Sequence, residues 1–193
     1  MKKIILGLFS IILLLVFSAF NIPEGTYSVD SQASKLRWTG YHLAKSYEHT
    51  GFVTIKSGKL EVSGGLITGG NFVIDMNTIT NEDLTSAKDN AKLVNHLKSK
   101  DFFNVKQFPE AKLVIKNSNS SGSGLKVNAD LTIRGITKPI TFDATLTENG
   151  NTVEANATLT IVRTDYEVMY GWKVENAMLS GEFKMDVKLV AKK

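Results

Sequence analysis

Arg163 is the residue of this chain best placed to do chemistry. Counting by twos from Val153 through Ala155, Ala157, Leu159 and Ile161 carries one parity of an alternating strand on to Arg163 and Asp165. A guanidinium therefore lands on the apolar side near a strand end, where a cation needs a partner. Two uses are open. One is an ion pair with Asp165 or Glu167 that closes the end of the sheet, the commoner use of such groups; the other is an anchor for the polar head of a ligand, with Asp165 and Tyr166 beside it at a rim.

Little else in the sequence points to catalysis. There is no Gly-x-Ser-x-Gly elbow, no glycine loop that would cradle phosphate and no pair of carboxylates in an inferred shared cleft. His42, His49 and His96 are dispersed and form neither His-x-His nor His-Glu-x-x-His, so they read as surface or rim residues. Zero cysteines exclude disulfides, thiol redox chemistry and thiolate metal sites. The expectation is a protein with no catalytic residues, no metal and no cofactor.

The elements that must position Arg163 are strands. Val127, Ala129, Leu131 and Ile133 share one parity, and after Arg134-Gly135-Ile136-Thr137-Lys138-Pro139 so do Ile140, Phe142, Ala144 and Leu146. Period two marks half-buried strands, and a reversal pinned between Gly135 and Pro139 makes them an antiparallel hairpin. Short alternating runs continue along the chain, at 27–30, 35–41, 51–56, 59–63, 71–77, 112–116, 153–161 and 179–191. Ser57-Gly58, Gly64-Gly65, Gly69-Gly70 and Asn149-Gly150-Asn151 read as turns between them, and Asn117 to Gly124 as a flexible hairpin loop. This spacing is that of a sandwich or a barrel. One segment breaks the pattern. Asn81 to Lys98 carries Leu84, Ala87, Ala91 and Val94 at three-and-four spacing beside Leu93 and Leu97, which predicts an amphipathic helix capped by Asn81, with Glu82 and Asp83 in its first turn.

The chain of 193 residues is sized for one domain, 21–193, once residues 1–20 are set aside as a signal peptide: Lys2 and Lys3 precede the apolar run Ile4 to Phe17. A periplasmic or secreted protein is expected, with an uncleaved N-terminal anchor as the alternative. Without Lys2 and Lys3, 21 basic residues face 19 acidic ones, so the net charge falls from +4 to +2. That balance argues against nucleic acid as a partner.

Several ordered motifs resemble the YceI-like family of polyisoprenoid-binding proteins. They are Tyr27-Ser28-Val29-Asp30, Leu36-Arg37-Trp38-Thr39-Gly40, His96 to Asn104, Gln107-Phe108-Pro109-Glu110-Ala111, Leu131 to Ile140 and Arg163-Thr164-Asp165-Tyr166, spanning about Gly25 to Ala191. The resemblance implies an all-β fold: an extended lipocalin-like, antiparallel, eight-stranded β-barrel with the 81–98 helix packed over it. It also implies an interior that takes the tail of a polyprenyl phosphate or an isoprenoid quinone. One departure stands out. The family places a Gly after Arg163-Thr164-Asp165-Tyr166, where this chain has Glu167, so the chain there is expected to lack a bend.

Inward alternation alone does not separate a ligand cavity from a filled core. Small inward residues (Ala129, Ala144, Ala155, Ala157, Gly181) mix with large ones, which leaves space locally. The expected wall comprises Trp38, Phe72, Ile74, Leu131, Ile133, Phe142, Leu159, Ile161, Phe183 and Met185, and the lid Leu93, Val94 and Leu97. Phe102, Phe103 and Phe108 either line the entrance or staple the helix to the sheet. A buried CH₂ contributes about 0.8 kcal/mol, so one five-carbon isoprene unit gives about 3–4 against an association cost of ~4–15. Several units must enter, and the head stays at the rim. Transient contact with a membrane would load such a lipid. The rival expectation is a ligand-free envelope stress or interaction module with a solid core.

Overall fold

Period-two alternation does produce strands here, and they are longer than the runs suggest. The computed structural model describes residues 22–43, 46–169 and 178–193; the expected signal peptide lies outside them. The strands are β1 (Gly25–Val29), β2 (Lys35–His42), β3 (Glu48–Ser63), β4 (Leu66–Asp75), β5 (Glu110–Ser121), β6 (Gly124–Ile133), β7 (Ile136–Asn149), β8 (Thr152–Val162) and β9 (Leu179–Lys192). Every pairing is antiparallel, and β3 joins β4 to close the ring. Both β1 and β2 lie between β3 and β9, end to end, so among the described residues nine strands make eight staves of a closed barrel.

Several expected turns are strand. Ser57-Gly58 and Gly69-Gly70 sit inside β3 and β4, where register shifts between Ile55 and Ser57 and between Glu61 and Val62 absorb the irregularity as bulges. These glycines serve packing. A Cβ on Gly58 would lie 2.6 Å from Phe72 Cδ1 and one on Gly70 3.0 Å from Phe72 Cε2, so the two make room for that ring. The Asn117–Gly124 loop is also strand to Ser121, with Asn117 facing Asn128 in the ladder. The β6–β7 reversal is tighter than Gly135-to-Pro139: Arg134 and Gly135 both take positive φ and form a two-residue turn. Pro139 lies within β7, opposite Asp130, in the stretch that β8 has not yet joined.

The helix α1 runs Ala87–Lys98 and starts six residues later than the pattern predicts, capped by the Ser86 hydroxyl, which accepts from the Asp89 N–H. The reason is competition from the sheet. Residues 78–83 run along β3: the Thr80 and Glu82 N–H groups donate to the carbonyls of Phe52 and Thr50, and the Asn81 amide also donates to Thr50. Ala87 and Ala91 are exposed, while Asn90, Leu93, His96 and Leu97 are half-buried or buried, so the inner face is rotated from the expected stripe.

The bend after Arg163 is present without the family's glycine. β8 ends at Val162, residues 163–166 form a short 3-10 turn, and Glu167 caps it with φ 53°. That turn reverses the strand parity. Arg163 is buried but Asp165 is exposed, contrary to the count that put both inside.

Candidate functional site

The barrel is hollow at one end. A cavity of about 220 Å³ opens among β2, β3, β8, β9 and α1, with an accessible lining that is almost wholly apolar. Its walls follow from pairing register. Trp38 faces Met185, which faces Leu159; one step nearer the mouth, Gly40 faces Phe183, which faces Ile161. Ile74, Leu131 and Ile133 complete the expected lining residues that the cavity contains. Leu36, Val53, Met76, Ala111 and Leu113 also line it, and sequence reasoning missed them.

Trp38 lies along the wall because its indole N–H donates to the Thr80 carbonyl at 3.0 Å. Gly51 is what lets this bond form. A Cβ there would fall 1.9 Å from the Thr80 oxygen and 2.8 Å from Trp38 Cζ2.

Phe72 and Phe142 do not line the cavity. Phe72 is buried in the core beside Gly58 and Gly70, and Phe142 is half-buried against that core opposite Val127. The alanines do not create the space either: Ala129, Ala144 and Ala155 are buried in the core away from the cavity, and Gly181 is exposed. Of the expected lid, Leu93 and Leu97 reach the cavity and Val94 does not; Phe102 and Phe103 join them. Phe102 and Phe103 meet edge to face at 4.9 Å, and Phe103 meets Phe183 at 6.3 Å. Arg134 holds this cover down, its Nη1 donating to the carbonyls of Phe102 and Glu167 at 2.6 Å each. Phe108 serves elsewhere, against Gly135.

Arg163 lines the cavity and is 4% exposed. Its Nε donates to the Ser180 carbonyl at 2.7 Å and its Nη1 to the Val168 carbonyl at 2.8 Å. Burial pushes its pKa down from the ordinary value. Among the described residues, no salt bridge joins it to Asp165 or Glu167, so the closing ion pair gives way to a tie between β9 and the segment after β8. Tyr166 is no rim residue. It is buried outside the cavity, and that burial raises its phenol pKa.

The mouth is polar, and all three histidines reach the cavity. His42 stacks on Tyr47 with ring centroids 4.1 Å apart, and Tyr47 meets the edge of His49 at 5.5 Å. His49 Nδ1 lies 2.7 Å from Asp83 Oδ2. Burial raises the Asp83 pKa, but hydrogen bonds from the Thr50 N–H, His49 and Asn81 outweigh it and hold the carboxyl low. His96, in the last turn of α1, lines the cavity, and burial lowers its pKa against the opposing pull of Asp101. The signal for His42 and His49 was in the strand parity: His42 follows Leu36, Trp38 and Gly40 by twos, and His49 precedes Gly51 and Val53.

Comparison with known proteins agrees with this architecture. Residues 27–191 match the family model for the YceI-like domain. Protein YceI of Escherichia coli O17:K52:H18 (strain UMN026 / ExPEC) is 28% identical over 155 residues, 78% of this chain and 76% of its own length. A UPF0312 protein of Pseudomonas putida (strain W619) is 31% identical over 144 residues, 70% of this chain and 69% of its own. The crystal structure of Burkholderia cenocepacia BcnA superposes with a TM-score of 0.71 at 22% identity, covering 85% of this chain and 99% of that one.

Proposed function

Since the chain belongs to the YceI-like family, we propose that it sequesters or carries a long isoprenoid lipid, a polyprenyl phosphate or an isoprenoid quinone, and does no chemistry on it. The observation that carries this reading is the apolar bore between Trp38, Ile161, Phe183 and Met185, closed by Leu93, Leu97 and Phe102. Its volume lies below the roughly 300–1,000 Å³ of sites that enclose a drug-sized ligand, which suits a slender tail and excludes a bulky head. Further units enter as Met76 and Met185, the most adaptable lining side chains, change rotamer. The head then rests at the mouth among His42, Tyr47, His49 and Arg163, where its desolvation costs least.

Loading from a bilayer accounts for the exposed apolar residues around that end. Leu43 is 58% exposed, and its N–H donates to the carbonyl of Met178, itself half exposed; Tyr47 and Met169 add to the set. Such residues partition into a membrane surface while the mouth faces it. The Lys2–Phe17 pattern supports export to the periplasm or beyond.

Extraction of protein purified in its native state, followed by mass spectrometry, tests the ligand class. Prenyl lipid recovered in near-stoichiometric amount is the expected result. Recovery of straight-chain acyl lipid alone rejects the isoprenoid, and consistently ligand-free protein favours the rival envelope interaction module.

A further inference from the structure

At the mouth, His49 is held through Nδ1 by Asp83. Asp83 accepts from Nδ1, and Asp83 is itself held, its Oδ1 taking the Thr50 N–H at 2.7 Å and the Asn81 amide at 2.5 Å. Asn81 is anchored in turn by donation to the Thr50 carbonyl, and its own carbonyl accepts from Asn90 on α1. A carboxylate bound in this way sets the tautomer of a neutral ring, with the proton on Nδ1 and the lone pair on Nε2. No hydrogen bond among the described residues engages Nε2, and the residue lines the cavity mouth. A lone pair left on Nε2 of a residue that lines the cavity can accept a ligand hydroxyl.

Charge argues against an anion at this position. Asp83 touches the ring and Glu182 lines the same cavity, while Glu82 beside Asp83 is paired with Arg37 and the cavity's guanidinium, Arg163, donates to the Ser180 and Val168 carbonyls. A phosphate beside His49 would meet these carboxylates, whereas an uncharged alcohol, phenol or quinol would not.

Resting on the lipid-carrier reading above and narrowing the head groups it allows, we propose that His49, positioned by Asp83, is the acceptor for a ligand hydroxyl and that the mouth selects hydroxyl-headed isoprenoids, the reduced quinol form of a quinone among them, over phosphorylated ones. The test titrates lipid-free protein with geranylgeraniol, its methyl ether and geranylgeranyl phosphate. The intact protein is expected to bind the alcohol about tenfold more tightly than the ether, the worth of one hydrogen bond, and more tightly than the phosphate. In His49→Phe the alcohol-to-ether ratio falls to about one through loss of alcohol affinity. Asp83→Asn, which no longer imposes the tautomer, lowers the ratio without removing the ring. Equal affinity for alcohol and ether in the intact protein, an unchanged ratio in His49→Phe, or tighter binding of the phosphate overturns the proposal while leaving the carrier reading in place. Failure of all three probes to bind sinks the carrier reading and this inference together.

Discussion

The two ends of the barrel use the same residue types and differ in what crosses the bore. At the Tyr27 end, Leu60, Val127, Val153 and Ala191 are sealed from solvent, and the Phe72 ring is admitted by Gly58 and Gly70. At the Arg163 end the largest ring is kept out of the bore, because Trp38 is tied along the wall to Thr80 and Gly51 leaves space for that tie. Glycine thus fills one end and helps to empty the other. A barrel of eight staves has just enough bore for either outcome, so the orientation of a few rings decides it.

Truncation at the two ends should differ most. Leu60→Ala leaves a void in fully packed surroundings and is expected to cost about 3–5 kcal/mol, whereas Leu159→Ala enlarges space that already exists and is expected to cost about 2. Urea denaturation of the two variants checks this; equal losses would erase the distinction between the ends. A smaller loss, about 1–3 kcal/mol from overpacking, is expected for Gly58→Ala, whose new Cβ presses on Phe72. Ligand affinity in Gly58→Ala should stay within about twofold of the unmodified protein, measured by the same titration.

The smallest effect is a pH dependence confined to the hollow end. Burial lowers the folded-state pKa of His96, so the neutral ring is favoured by folding. Its stabilisation is complete above the ordinary histidine value and is lost as pH falls through the lowered one. Protection factors in α1, taken relative to the intrinsic exchange rate at each pH, should therefore fall between pH 7.5 and pH 5 more than those around Val127, and His96→Asn should flatten that difference. Equal loss of protection at both ends would contradict the assignment.

Much of the fold was legible because parity is local. Val153 to Ile161 and Val127 to Ile133 alternate in the sequence as they do in the barrel, and the ordered motifs named the family. What escaped depends on distant partners. Asn81, Glu82 and Asp83 look like a helix start, but β3 claims them with hydrogen bonds that local pattern does not contain. Gly58 and Gly70 look like turns because their reason is a ring on another residue. The wall was read correctly at Trp38, Leu159 and Met185 as far as facing inward, yet facing inward did not tell Phe72 in the packed core from Phe183 in the cavity lining. Parity also failed at Asp165, since a 3-10 turn begins at Arg163 and the count by twos ends there.

The most direct test of a lipid-holding hollow end uses Gly40. Its Cβ position meets only Trp38 Cζ3, at 4.0 Å, so Gly40→Phe can place a ring in the cavity without displacing backbone. Native mass spectra of the unmodified protein and Gly40→Phe, purified side by side, should show a bound mass in the first that is lost or reduced at least tenfold in the second. Equal occupancy in both would contradict the account, because the ligand would then lie somewhere other than the bore.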